Sequence, residues 1–141
     1  MKKVITVIIV LFLVSCSSNK QAASKPLFEV LSINNDGGAN IKFYEILTEP
    51  KEIKMLLGDE FLRKIIKPAD ITTSSFIILN AGPTTENYNR IKIEKVIETP
   101  TQIELYIKDT QKNIDVNFAD DETLHPYTII KINSKKSIVI K

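Results

Sequence analysis

Apolar residues recur along this chain in three rhythms, and each predicts a different element. The first is a continuous run, Phe76-Ile77-Ile78-Leu79. Successive side chains of a strand point to opposite faces, so a run that is apolar at odd and even positions suits a central strand covered on both sides. The second rhythm is alternation. Ile103, Leu105 and Ile107 stand against Gln102, Glu104, Tyr106 and Lys108, while Asn89, Ile91 and Ile93 stand against Arg90, Lys92 and Glu94. That pattern predicts half-buried strands. Further strands are expected at residues 27–33, 41–47, 127–132 and 138–140. The third rhythm is helical spacing, in Ile53, Leu56 and Leu57 and again in Phe61, Leu62, Ile65 and Ile66.

Punctuation between these segments is equally readable. Thr48-Glu49-Pro50 offers a capping hydroxyl, an acid for the first turn and a proline where no N–H is needed. Gly58-Asp59 reads as the stop of one helix and the cap of the next. Residues 50–66 therefore form a broken helical segment with Phe61 turned to the core, ended by Lys67-Pro68-Ala69-Asp70. Asn34-Asn35-Asp36-Gly37-Gly38 is the densest turn signal and is expected to close an N-terminal hairpin. Thr99-Pro100-Thr101 should close another. The expected fold is α+β: a mainly antiparallel sheet of about seven strands, mostly in hairpin order, with the broken helical segment packed on one face as a second layer.

The N-terminus carries an address. Met1-Lys2-Lys3 is a short positive start, and the apolar run over residues 4–14 is interrupted only by Thr6. It is too short to span a bilayer, which takes about 20 residues, and fits the core of a secretory leader. The run ends in Leu13-Val14-Ser15-Cys16, which resembles the lipobox of bacterial lipoproteins. The resemblance implies cleavage before Cys16 and acylation of its thiol and its new amine. Several acyl chains make such an anchor effectively permanent. Residues 1–15 are then the leader and 16–26 the lipidated cysteine with a polar tether, SSNKQAASKP, spanning roughly 17 Å. Residues 27–141 form one globular domain. Ser17, rather than Asp, follows the cysteine, which by resemblance to sorting signals favours the outer over the inner membrane of the envelope.

Charge and cysteine content narrow the chemistry. Of 19 basic residues, two leave with the leader, so 17 remain against 17 acidic ones. That balance supports neither a nucleic-acid partner nor a polybasic membrane patch. Cys16 is the single cysteine, so neither a disulfide nor a thiolate metal site is available within the chain. The single histidine, His125, precedes Pro126 and is expected at the start of a strand. No second histidine, HExxH or GxSxG accompanies it. Asp120-Asp121-Glu122 lacks the spacing and glycine of a calcium loop. The glycine-rich turn at Gly37-Gly38 precedes a strand rather than a helix, which argues against a phosphate cradle. The expectation is a protein that is not an enzyme and takes no cofactor or metal.

The stretch after the central strand is where function is expected. Gly82-Pro83 sets a turn, Thr84, Thr85 and Asn87 offer hydrogen-bonding groups at a surface tip, and Tyr88 adds a rigid ring of the kind enriched in interface hot spots. The order Phe28-Glu29-Val30-Leu31, Pro68-Ala69-Asp70, Phe76-Ile77-Ile78-Leu79 with Gly82, Pro83-Thr84, Tyr88, Arg90-Ile91-Lys92-Ile93 and Pro126-Tyr127-Thr128-Ile129-Ile130-Lys131-Ile132 resembles the PrcB-type protease-complex subunit family. These are lipoproteins that accompany a cell-surface subtilisin-like protease. Glu86-Asn87-Tyr88 stands where that family usually has Gly-Gly-Tyr, so a role needing two flexible glycines is not carried over. The resemblance implies a non-catalytic accessory subunit of another envelope protein, a secreted protease in the family's manner. Two alternatives accompany it. Pro83-Thr84-Thr85 and Tyr88 are locally similar to the inhibitory loop of chagasin-like inhibitors of cysteine proteases, which implies an inhibitor using residues 82–88. A periplasmic lipoprotein binding a small ligand is the other.

The anchor is directly testable. Cys16→Ala should abolish acyl labelling and leave the protein uncleaved or in the soluble fraction. Unchanged labelling of that variant would defeat the lipoprotein reading.

Overall fold

A computed structural model describes residues 25–85, 91–109 and 123–141, and the apolar run at the centre of the chain forms β3 (Ser75–Ala81). A second strand of the same kind, β6 (Tyr127–Ile132), pairs with it antiparallel, Ile77 opposite Ile130 and Ile78 opposite Ile129. Strands that are apolar on both faces belong inside a sheet. The flanks go to β1 (Phe28–Asn34), which pairs with β6, and β2 (Lys42–Leu47), which pairs with β3, giving the antiparallel order β1-β6-β3-β2. A second sheet has β5 (Gln102–Asp109) at its centre, antiparallel to β4 (Ile91–Glu98) and parallel to β7 (Ser137–Ile140). The protein is α+β, with seven strands in two mostly antiparallel sheets.

The period of two divides the core. Ile77, Leu79 and Ala81 of β3, with Ile130 and Ile132 of β6, face Ile91, Ile103 and Leu105 of the second sheet. Phe76 and Ile129 face the other way, onto the helices. These are α1 (Pro50–Leu56), α2 (Glu60–Ile65) and α3 (Asp70–Thr73). The helical segment does pack on one face of a sheet, as its spacing predicts. The second sheet covers the opposite face, so the layers number three rather than the two expected.

Local chemistry starts the helices. Asp59 caps α2 by accepting the Leu62 N–H at 2.8 Å, as expected of a residue after a stop glycine. At α1 the cap is Glu49 rather than Thr48, and the Glu52 carboxylate takes the N–H groups of both, each at 3.1 Å. The α2 register that Asp59 sets turns Leu62 inward at 3% exposure and leaves Phe61 56% exposed, contrary to the expectation that Phe61 joins the core. Ile53, Leu56, Leu62 and Ile66 are the buried helical set.

The N-terminal hairpin is also not formed. β1 and β2 lie on opposite edges of their sheet, because β6 and β3 occupy the interior between them. The expected hairpin order holds for β4 and β5, whose turn is tied by Thr99 Oγ1 to both backbone groups of Gln102, while β3–β4 and β6–β7 pass from one sheet to the other. Lys131 is the residue that the strand pattern does not anticipate. It points to the helical layer, 7% exposed, with its ammonium 3.0 Å from Glu29 Oε1 and 3.5 Å from Asp70 Oδ2. Asp70, itself 1% exposed, also accepts the Lys67 N–H at 2.9 Å.

The register of α2 yields a paired stability prediction. Leu62→Ala should cost about 2–5 kcal/mol in a denaturant melt, and Phe61→Ala less than about 1 kcal/mol. The reverse order would place Phe61 in the core after all.

Candidate functional site

Strand direction sorts the chain into two ends. Phe28, Ile132 and Ser75 are neighbours across the four-stranded sheet at one end, and Asn34, Tyr127 and Asn80 at the other. Gly82 and the candidate loop leave from the second end. There the β3–β6 ladder continues past the strands proper: the Ala81 N–H donates to Pro126 O at 3.0 Å, and Thr84 and Leu124 exchange both backbone bonds at 2.8 and 2.7 Å. Residues 82–84 are thus held in the sheet's own frame.

The connection from β1 to β2 crosses over this end. Gly38 donates to His125 O at 2.7 Å, and Ala39 donates to Asn80 Oδ1 at 3.1 Å. A Cβ on Gly38 would stand 2.7 Å from that same carbonyl oxygen, so the crossing needs glycine for close approach. Asp36 Oδ1 accepts the His125 N–H at 2.9 Å and lies 3.5 Å from His125 Nδ1. The Gly37 N–H, followed by the His125 N–H, holds the Asp36 carboxyl below its ordinary range. Lys42, at the start of β2, forms an ion pair with Asp109 at the end of β5 and so ties the two sheets together here. That hydrogen bond raises the Lys42 ammonium above its usual value.

The predicted site residues separate under this geometry. Gly82 takes φ +75° with its Cα face 3.0 Å (Cβ position) from Lys42 N, a conformation and a space that require glycine. Pro83 is half-buried, and Thr84 is only 1% exposed, so the expected surface presentation of the Thr84 hydroxyl is not met. The bridge to Leu124 is the reason. Thr85 is exposed. Asn87 and Tyr88 lie outside the described residues, as do Cys16 and the acidic run at Asp120-Asp121-Glu122. Ile41, beside Gly82 and 66% exposed, lies just ahead of β2 rather than inside the strand expected over 41–47.

Chemically, this end is a frame of backbone hydrogen bonds and ion pairs. His125 sits at the start of β6 with Asp36 as its carboxylate neighbour. Among the described residues, no three of His, Cys, Asp and Glu gather as a metal-binding group. No helix of the described residues is long and apolar enough to cross a membrane. No protein-family model, curated protein or solved structure matches the chain.

Asp36 gives this frame an acid dependence of definite sign. Its folded pKa is below the ordinary value of 3.8, so its stabilisation is complete above that value and is lost as pH falls through the lower folded one. Amide exchange at Gly38 and His125 should accelerate as pH is lowered between about 5 and 2, beyond the intrinsic pH trend, and Asp36→Asn should remove that step. Identical profiles for the two proteins would exclude Asp36 as the clasp.

Proposed function

We propose that the chain is a non-catalytic, lipid-anchored envelope protein whose domain serves as an accessory or interaction subunit for another envelope protein, in the manner of the PrcB-type subunits it resembles. The observation that carries this reading is polarity along the strands. The tether of residues 17–26 joins at the Phe28 end, while Gly82, Thr85 and Ile41 lie at the other. A sheet of six or seven residues per strand sets those ends roughly 20 Å apart. With Cys16 acylated, the Gly82 end is the end of the strands opposite the anchor attachment, and it is the end proposed to meet a protein partner. A frame held by Gly38, Thr84 and the Lys42–Asp109 pair keeps ordering costs low when that partner binds. Thr85 and Ile41 supply a polar and an apolar contact from the described residues, and Tyr88 is the proposed aromatic anchor.

The inhibitor reading has weaker support. A wedge that enters a protease cleft must present its central residues, and Thr84 is buried in a bridge to Leu124.

Cross-linking in the native envelope followed by identification of the linked protein, then measurement of its affinity for the purified chain, tests the proposal. Tyr88→Ala and Ile41→Asp should each weaken that affinity by about 2 kcal/mol, or thirtyfold, with melting temperatures close to the parent. Thr84→Ala should instead lower the melting temperature. Parent-like affinity in both Tyr88→Ala and Ile41→Asp would remove the loop end as the site. Stoichiometric inhibition of papain-like or subtilisin-like proteases would replace the accessory role with the inhibitory one.

A further inference from the structure

The second sheet has an inner and an outer face of opposite character. Ile91, Ile93, Val96, Ile103, Leu105 and Ile107 point into the sandwich core. The side chains between them point outward, and the ladder sets them in rows. Lys92 stands directly opposite Lys108. In the next row Tyr106 is flanked by Lys95 from β4 and by Lys141, just past β7. Their ammonium groups lie 4.2 and 5.7 Å from the ring centre. The row beyond carries Ile97, Glu104 and Val139. All four lysines are exposed, as are Ile97 and Val139.

Composition argues against a polybasic patch, because basic and acidic residues balance; the fold separates what composition averages. Three carboxylates of β4 and β5 have lysine partners: Glu98 with Lys136 and Glu104 with Lys141, each at 2.8 Å, and Asp109 with Lys42. Glu104 also accepts the Tyr106 hydroxyl at 2.8 Å and the Gln102 amide at 3.0 Å. Among the described residues, no ion pair uses Lys92, Lys95 or Lys108. Against these three stands Glu94, exposed at the irregularity of β4. Lysines directly opposite across a ladder repel each other, so the Lys92–Lys108 pairing adds nothing to the fold. An anion from outside relieves it.

Three features choose among anionic partners. The broad side of a sheet presents its charges as an array, which suits many anions in a plane rather than one small ion. The cations are all lysines, point charges, whereas paired recognition of a protein carboxylate favours the arginine fork. Tyr106 is of a type enriched at membrane–water interfaces, and Ile97 and Val139 add apolar surface beside it. The third feature is reach. A domain anchored at Cys16 through a tether of roughly 17 Å stays beside the headgroups, where attraction too weak to recruit a free protein still orients a tethered one. We infer that the outer face of the second sheet rests on a bilayer surface bearing anionic headgroups, with Lys92, Lys95 and Lys108 meeting the phosphates. The nearness of the bilayer rests on the anchor proposed above; the affinity of the face does not. The Gly82 end belongs to the four-stranded sheet, so the two surfaces are distinct.

The test uses the chain from Ser17 onward, which holds both cores in full, since the first core residue is Leu27, and which lacks the cysteine that would be acylated. It should sediment with phosphatidylcholine vesicles containing about 40% phosphatidylglycerol at low salt, detach at about 0.5 M salt, and ignore pure phosphatidylcholine. Lys92→Gln, Lys95→Gln and Lys108→Gln combined should weaken the association at least about tenfold. The same charge change as Lys51→Gln, Lys54→Gln and Lys67→Gln, at exposed lysines of the helical layer, should stay within about twofold. Should the first variant melt early, a reporter on the otherwise unaltered chain decides. Val139→Cys and Met55→Cys each supply a single thiol for an environment-sensitive fluorophore, one on this face and one on α1. Emission should shift to the blue on anionic vesicles for Val139→Cys and stay unchanged for Met55→Cys. Absence of binding to anionic vesicles, equal losses from the two lysine sets, or a shift confined to Met55→Cys would overturn the inference. So would capture of oligothymidylate or polyglutamate through the same lysines without vesicle binding, which would assign the face to a nucleic acid or an acidic protein. Acyl labelling of Cys16 is read separately, so loss of the anchor and loss of the face are distinguishable.

Discussion

Two strands buried on both faces hold the structure together. Phe76, Ile77, Leu79, Ile130 and Ile132 are essentially inaccessible, and they divide between two cores on opposite sides of one sheet. Each such side chain contributes about 1.5–3 kcal/mol on burial, so a handful is comparable with the whole net stability of a domain. With β3 and β6 committed to the interior, the less apolar β1 and β2 take the edges. The connection between them must then cross the strand ends, which places Gly38 against the His125 carbonyl and brings Asp36 to the His125 N–H. The hydrogen bonds that close this end of the domain are a consequence of that crossing.

The same commitment explains how a lysine comes to lie under the helices. In Tyr127-Thr128-Ile129-Ile130-Lys131-Ile132 the alternation sends Lys131 to the helical side. An unpaired ammonium there would be costly, and Glu29 from β1 with Asp70 from α3 meets it. Asn133 donates to Glu29 as well, at 2.9 Å, and this bond, ahead of the Lys131 bond, holds the Glu29 carboxyl below its usual range. Strand β1, strand β6 and the short helix α3 are thereby tied in one register by charge rather than by apolar contact. An apolar replacement of the whole trio costs little in such sites, whereas removal of one member leaves a buried charge uncompensated.

Where the frame is closed and where it is open also has a physical logic. The Gly82 end is closed by backbone bonds and by the Lys42–Asp109 pair between sheets. On the β1–β4 side both edge strands carry a register irregularity, between Val30 and Ser32 and between Ile93 and Lys95.

The sequence by itself determined the element types, because they follow from local periodicity: the continuous run at Phe76-Ile77-Ile78-Leu79, the alternation at Ile103, Leu105 and Ile107, and the cap at Asp59. It also pointed to Gly82, whose positive φ and close approach to Lys42 do require glycine. Only the tertiary structure decided partners. Adjacent strands need not pair when stronger candidates for the interior lie far along the chain, so the Asn34–Gly38 turn became a crossing instead of a hairpin. Helical spacing alone did not choose between Phe61 and Leu62, since both lie near the apolar face and the Asp59 cap set which one turned inward. Thr84 reads as a surface hydroxyl until Leu124, forty residues away, completes its bridge. Burial is a property of what packs from a distance, and spacing along the chain carries no record of it.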